Sequence, residues 1–247
     1  MRSVVIIPAR YDSSRFPGKP LVSLLGKPMI IWVAELSAKA VGKENVYIAT
    51  EDQRICEVVI AEEFNVILTS KEALTGTDRI AEAALKIEAD IYINVQGDEP
   101  LVNPDDILKI LEAKKKYFNK IINGFTWIDT TKENASNINI PKVITNENDI
   151  LVYMSRSIVP AYKDIRNKPL KYKKQVCIYA FTYDELKSYF NFGRKSELEK
   201  FEDIEILRFF ELGKEIKMVE TQSGSLAVDT PEDVLQVEEA LRNMRTL

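Results

Sequence analysis

Four short β-branched runs, each followed by a stretch with helical spacing, fill the first 117 residues. This alternation restricts what the chain can fold into more than any other feature. Ser3–Pro8 reads as a buried strand, Pro28–Val41 as a helix, Val46–Thr50 as a strand and Asp52–Glu63 as a helix. Val66–Thr69, Thr77–Ile87, Ile91–Val95 and Pro104–Tyr117 repeat the order. Strands regularly separated by helices form βαβ units, and these close into a parallel sheet with helices on both faces. The expectation is an α/β fold with a doubly wound, mostly parallel sheet.

Beyond Ile121 the texture changes. Asn-rich stretches and basic loops separate extended segments such as Val176–Thr182. A helix is expected over Glu197–Leu212, a strand over Ile216–Glu220, a short strand over Leu226–Asp229, and a closing helix over Thr230–Leu241 capped by Thr230. We read residues 1–247 as one domain: a nucleotide-binding half (1–120), a smaller antiparallel lobe for substrate and subunit contacts (121–225), and a returning strand and helix (226–247).

Composition narrows the chemistry. The 247 residues contain no histidine, which excludes a Ser-His-Asp triad, an imidazole base and a His-ligated metal. Two cysteines make neither a disulfide framework nor a thiolate zinc site. A net charge of −4 argues against a nucleic-acid partner. The apolar run Val4–Ile7 is too short to enter a membrane or serve as a signal peptide, so a cytoplasmic protein is expected. What remains is chemistry by carboxylates, Lys, Arg, hydroxyls or an oxygen-bound metal.

Four segments offer those groups. The loop Pro8–Pro20 (PARYDSSRFPGKP) follows the first strand, where open α/β sheets bind phosphates. It lacks the P-loop pattern, yet residues 1–20 carry four cations against one acid, and Arg10, Arg15 and Lys19 lie within ten residues. Asn94–Pro100 (NVQGDEP) places Asp98 at a strand end, where Mg²⁺ on nucleotide phosphates finds a carboxylate, and Gly97 permits close backbone approach. Ala227–Asp233 (AVDTPED) has the same form, and Asp229 would be the second metal ligand. Thr75–Arg79 (TGTDR) starts a helix whose free amides suit a base edge or an anion. In the second lobe Glu199, Glu202, Glu205 and Arg208 recur every three residues, either as a solvated face or as a polar wall for a hydroxylated ligand. Arg156 stands beside a strand end, where it could pair with a carboxylate substrate.

Together the segments resemble the 3-deoxy-manno-octulosonate (Kdo) cytidylyltransferases. The resemblance rests on Val5–Leu21, Gly26–Met29, Gly76–Arg79, Asn94–Pro100, Ser155-Arg156, Ile178-Tyr179 and Val228–Asp233, in family order across nearly the whole chain. It implies transfer of CMP from CTP to a 3-deoxy-ulosonic acid, for lipopolysaccharide synthesis, by a homodimer using Mg²⁺. It also implies roles for residues. Arg10, Ser14, Arg15 and Lys19 would hold the triphosphate, with Arg10, Lys19 and Asp98 acting in catalysis. Thr75, Gly76, Thr77, Asp78 and Arg79 would lie against the nucleoside. Asp98 and Asp229 would ligate Mg²⁺, and Gln96, Arg156, Gln175, Tyr179 and Glu205 would face the sugar.

The departures gather on the sugar side. Gln175 stands where family members carry a histidine, Ile206 where they carry a glutamine, and Glu72–Thr75 where many carry a histidine. Because a site built to hydrogen-bond a hydroxyl discriminates strongly, the sugar is open: Kdo, its 8-amino analogue or another 3-deoxy-ulosonate. A sugar-1-phosphate nucleotidyltransferase and a non-catalytic CTP-binding protein are the rival readings. The former usually has glycines where this chain has Tyr11–Arg15.

Overall fold

The computed structural model describes residues 1–12, 16–129, 131, 133–222 and 226–245. Its strands and helices follow the expected alternation: β1 (Ser3–Ala9), a hairpin of β2 (Ser23–Leu24) and β3 (Lys27–Pro28), α1 (Met29–Val41), β4 (Val46–Thr50), α2 (Gln53–Ala61), β5 (Asn65–Leu68), α3 (Gly76–Ala84), β6 (Ile91–Val95) and α4 (Pro104–Lys116). Then come β7 (Ile121–Trp127), β8 (Lys142–Thr145), β9 (Leu151–Ser155), β10 (Lys173–Phe181), α5 (Tyr183–Phe192), α6 (Glu197–Glu202), α7 (Ile206–Glu211), β11 (Ile216–Glu220) and α8 (Asp233–Arg245).

The main sheet runs β11-β7-β10-β6-β1-β4-β5, and β8 and β9 branch from β10. Along that path β10 alone runs against its neighbours, antiparallel to β6 and β7. Strands from both halves of the chain therefore share one sheet; its β8–β9 branch is antiparallel, and the β2–β3 hairpin is a separate two-stranded sheet. Strand order reverses between β1 and β6, both leaving the sheet at their C-terminal ends, and ligands bind at such a switch point.

Alternation along β1 shows why the sequence requires two layers of helix. Val4 and Ile6 pack toward α3, α5 and α7, while Val5 and Ile7 pack toward α1, α2 and α4. All four are fully buried, each worth roughly 1.5–3 kcal/mol of transfer free energy. A strand covered on both faces reads as a continuous apolar run. Caps set the helix starts. Thr75 Oγ1 accepts from the Asp78 amide at α3, Asn103 does the same for Asp105 at α4, and Thr182 with Glu185 forms a capping box at α5.

Three expectations change. The helix expected over Glu197–Leu212 is two helices, because Asp203 adopts a left-handed conformation (φ 48°) and turns the chain between α6 and α7. Leu226–Asp229 is not a strand; a backbone bond from Val228 N to Asp98 O joins it to the β6 loop. The last helix starts at Asp233 rather than Thr230, since Asp233 Oδ2 accepts from the Asp229 and Thr230 amides and from the Thr230 hydroxyl. Helix α8 then packs Val237 and Leu241 against Leu24, Met29 and Trp32, which carries Asp229 back to the mouth of the sheet.

Candidate active site

Two turns meet at the switch point because one of them has no side chain. A Cβ on Gly97 would lie 2.7 Å from the Pro8 carbonyl, so only glycine lets the loop after β6 press against the end of β1. Gly18, at φ 73°, donates its amide to the Tyr11 carbonyl at 2.9 Å and turns Lys19 inward. Lys19 Nζ then sits 2.7 Å from Asp98 Oδ2 and 3.6 Å from Asp229 Oδ1. The two acidic residues expected to share a cation thus converge on one ammonium. Among the described residues no group of three or more acidic or cysteine side chains surrounds a common metal position, so the pair would need oxygens from a ligand.

The N-terminus of α3 forms the next wall. Glu205, aimed there by the turn at Asp203, accepts from the Gly76 amide (3.2 Å), the Thr77 amide (2.8 Å) and the Thr77 hydroxyl (2.5 Å). Burial raises the Glu205 carboxyl above its ordinary value, opposed by these donors. Asp78 does not line the cavity. Its carboxylate is held by Arg208 at 2.6 and 3.0 Å and by the Thr75 hydroxyl at 2.7 Å. Arg208 is fully buried and also grips Glu199 at 2.7 Å, with the Tyr189 ring beneath its guanidinium. The four-residue series in the second lobe is not a solvated face: Glu199 and Arg208 pair internally, Glu202 turns to β9, Glu205 reaches α3, and Glu199 and Glu205 both line the cavity.

Arg79 borders the cavity while its charge is committed behind it, 2.7 Å from Glu51 and within reach of Thr69 Oγ1. Burial lowers the Arg79 pKa, and Glu51 opposes that shift. Glu51 also accepts from the Tyr11 amide, which ties this ion pair to the first loop.

On the sugar side Arg156 donates to the carbonyls of Ile138, Glu202 and Asp203, and its amide donates to Glu202 Oε2 at 2.8 Å. The fully buried ammonium of Lys142 holds the Arg156 carbonyl. Gln175 and Tyr179 lie on β10, joined by a 3.1 Å hydrogen bond from Gln175 Nε2 to the phenol oxygen. Burial raises the Tyr179 phenol well above its usual range.

These walls enclose two adjoining cavities of about 710 and 740 Å³. Arg10, Lys19, Thr75, Gly76 and Arg79 line the first, Gln175 and Tyr179 the second, and Gln96, Asp98, Arg156, Glu205 and Asp229 border both. Thr77 is buried beneath Glu205. Ser14 and Arg15 lie outside the described residues.

Residues 4–216 match the cytidylyltransferase family model. The chain belongs to the cytidylyltransferase family. Similar proteins include the 8-amino-3,8-dideoxy-manno-octulosonate cytidylyltransferase of Shewanella sp. (strain W3-18-1), 38% identical over 98% of this chain and 99% of the relative. The 3-deoxy-manno-octulosonate cytidylyltransferase 2 of Hydrogenovibrio crunogenus is 41% identical, with the same coverage. Among solved structures, a CMP:2-keto-3-deoxy-manno-octonic acid synthetase complexed with CTP superposes with a TM-score of 0.91 at 36% identity, covering 99% of this chain and 100% of that one.

Several site residues of this cytidylyltransferase were not visible to sequence reading. Glu51 and Lys142 hold candidate ligand-binding residues from behind, and Asn123 holds Gln175. Asn123, a fully buried polar residue within the strand Ile121–Trp127, carried a signal that could have been used, since a buried amide must find partners.

Proposed function

We propose that this cytidylyltransferase transfers CMP from CTP to the anomeric hydroxyl of Kdo or its 8-amino form and releases pyrophosphate. The observation that carries the reading is the convergence of Asp98 and Asp229 on Lys19 at the floor of a cavity large enough for a nucleotide and a sugar. The relatives' names and the CTP complex support the substrates.

Each residue acts through charge or position. Arg10 and Lys19 neutralise the triphosphate and the charge that builds on departing pyrophosphate. The Thr75-Gly76 turn at the start of α3, held in place by Glu205, orients the nucleoside. Arg156 offers its guanidinium to the sugar carboxylate, and Gln96 and Tyr179 hold the ring. Phosphoryl-type transfer depends mainly on such placement, so the lack of histidine is no obstacle.

The residues fit Mg²⁺. Two carboxylates already close around one positive charge, and oxygen donors from phosphate would complete the set. Bound there, the ion supplies Lewis acidity toward phosphate oxygens and the attacking hydroxyl. We further assign this enzyme to lipopolysaccharide precursor synthesis in the cytoplasm, as a homodimer. No helix among the described residues is long and apolar enough to cross a membrane, and in support of pairing Leu170 and Phe201 expose apolar side chains.

The test is pyrophosphate release with CTP, UTP, GTP and dTTP against Kdo and 8-amino-Kdo, with and without Mg²⁺. Turnover confined to CTP and a 3-deoxy-ulosonate is expected. CTP binding without turnover on either sugar would overturn the proposal, as would turnover on a sugar-1-phosphate.

A further inference from the structure

We propose that Lys142, a buried residue outside the chemistry described above, is a positioning residue for the acceptor sugar: its ammonium stands behind Arg156 as a second positive charge, so that this end of an acidic cavity takes a carboxylate. The role rests on the cytidylyl transfer proposed above and adds a group that never touches the sugar.

Lys142 opens β8 opposite Ser155 of β9, and it is fully buried. A lysine is almost never fully buried unless it is paired, because an ammonium out of water is costly. The equally buried Lys114 meets that need with the Glu185 carboxylate at 2.8 Å. Lys142 does not. Its Nζ donates to two backbone carbonyls, Asn137 O at 2.9 Å and Arg156 O, and no carboxylate pairs with it among the described residues. An amide or a hydroxyl could hold neutral oxygens as well, so hydrogen bonding alone does not account for a charge at this position.

Arg156 is in the same condition. Its Nε, Nη1 and Nη2 donate to the carbonyls of Glu202, Ile138 and Asp203, and no carboxylate pairs with its guanidinium among the described residues. Three of its five N–H donors are spent, and two remain on a side chain that borders both cavities. The oxygens of Glu202 are taken by the Tyr153 and Ser155 hydroxyls and by the Arg156 amide. Two cations therefore stand against one carboxylate.

Those cations act on each other. Burial lowers the Lys142 pKa, the Arg156 charge lowers it further, and Glu202 opposes both. An anion on Arg156 relieves the repulsion, and by linkage the relief returns as affinity for the anion. The surroundings make that affinity necessary. Six acidic side chains line the second cavity against Arg156 and Lys174, and Lys174 is already paired with Glu133. A carboxylate entering such a cavity is repelled unless charge behind Arg156 offsets the field.

The test is pyrophosphate release with the sugar that the wild type turns over, together with competitive inhibition by the C1 amide of that sugar, which keeps the ring and hydroxyls without the charge. Lys142→Met deletes the ammonium at equal chain length. It should raise the sugar's KM about tenfold, the worth of one charge in a partly buried site, while the amide's inhibition constant and the CTP KM stay within about twofold. A Lys142 that merely supports the fold would weaken acid and amide alike, and one serving the nucleotide phosphates would raise the CTP KM. Either result overturns the proposal, as does an unchanged sugar KM. Should Lys142→Met fail to fold, Arg156→Gln decides: the acid should still bind about threefold or more tightly than the amide, through Lys142, and complete loss of that preference overturns the role. A wild type inactive on both Kdo and its 8-amino form refutes the cytidylyl transfer itself, a failure visible before any variant is made.

Discussion

The Val228 amide donates to the Asp98 carbonyl at 3.0 Å, and this backbone bond holds the chain's returning C-terminal segment against the loop after β6. It sets the Asp229 carboxylate beside Asp98 and Lys19. Asp98→Asn and Asp229→Asn should each lower kcat by about 100-fold or more while leaving the circular dichroism spectrum unchanged, because preorganised charge at a transferring phosphoryl group is worth that much. Steady-state pyrophosphate release in saturating Mg²⁺ is the measurement. A variant within threefold of the wild type removes that residue from the metal role.

Glu205 is the group through which pH should act on stability. Its folded pKa lies above its ordinary 4.5, burial being the main cause. A carboxyl raised in the folded state contributes stability that is complete below the unfolded pKa and is lost as pH rises through the folded value. Glu205→Gln does not titrate. The Tm of the variant relative to the wild type should therefore increase from pH 4.5 upward and level off once the folded pKa is passed. A difference that is flat, or that falls with pH over this window, contradicts the raised pKa.

How much of this was legible in advance follows from the range of the forces involved. The first half was readable because β1, β4 and β6 are covered on both faces, and burial leaves an apolar run that no other fold uses so regularly. Asp98 and Asp229 could be named because both sit in turns with glycine or proline punctuation, Asp98 after a strand and Asp229 before a helix. The break at Asp203 was not legible: helical spacing runs straight through Glu197–Leu212, and the left-handed residue is stabilised by contacts its turn makes with Arg156 and α3. The pairing of Asp78 was hidden for a similar reason. Its place in the family motif suggested the nucleoside, whereas its partner, Arg208, is supplied by a helix far along the chain.

That partnership is itself testable. Arg208 is fully buried between Asp78 at 2.6 Å and Glu199 at 2.7 Å. Arg208→Met would leave the buried Glu199 and the partly buried Asp78 carboxylates without their counter-charge, and breaking a buried pair typically costs about 3–5 kcal/mol. Urea denaturation should report that loss. Combining the change with Asp78→Asn and Glu199→Gln should recover part of it, and no recovery would show that packing around Tyr189, rather than charge, sets the cost.

Gly97 connects the fold to the chemistry most directly, because the 2.7 Å gap to the Pro8 carbonyl admits no side chain. The neighbour that would have to yield is backbone, at the end of the central strand, and Ile30 closes the other side at 3.2 Å. Gly97→Ala must therefore push the β6 loop and the first loop apart, at a cost of about 1–3 kcal/mol for an overpacked site. The same displacement separates Asp98 from Arg10 and Lys19. The CTP KM should rise and kcat should fall together, since a shift near 1 Å in a positioning group is worth about 100-fold in rate. A Gly97→Ala protein of lower Tm but unchanged kcat would mean that the two loops reach their working positions independently, contrary to the close approach on which the site is built.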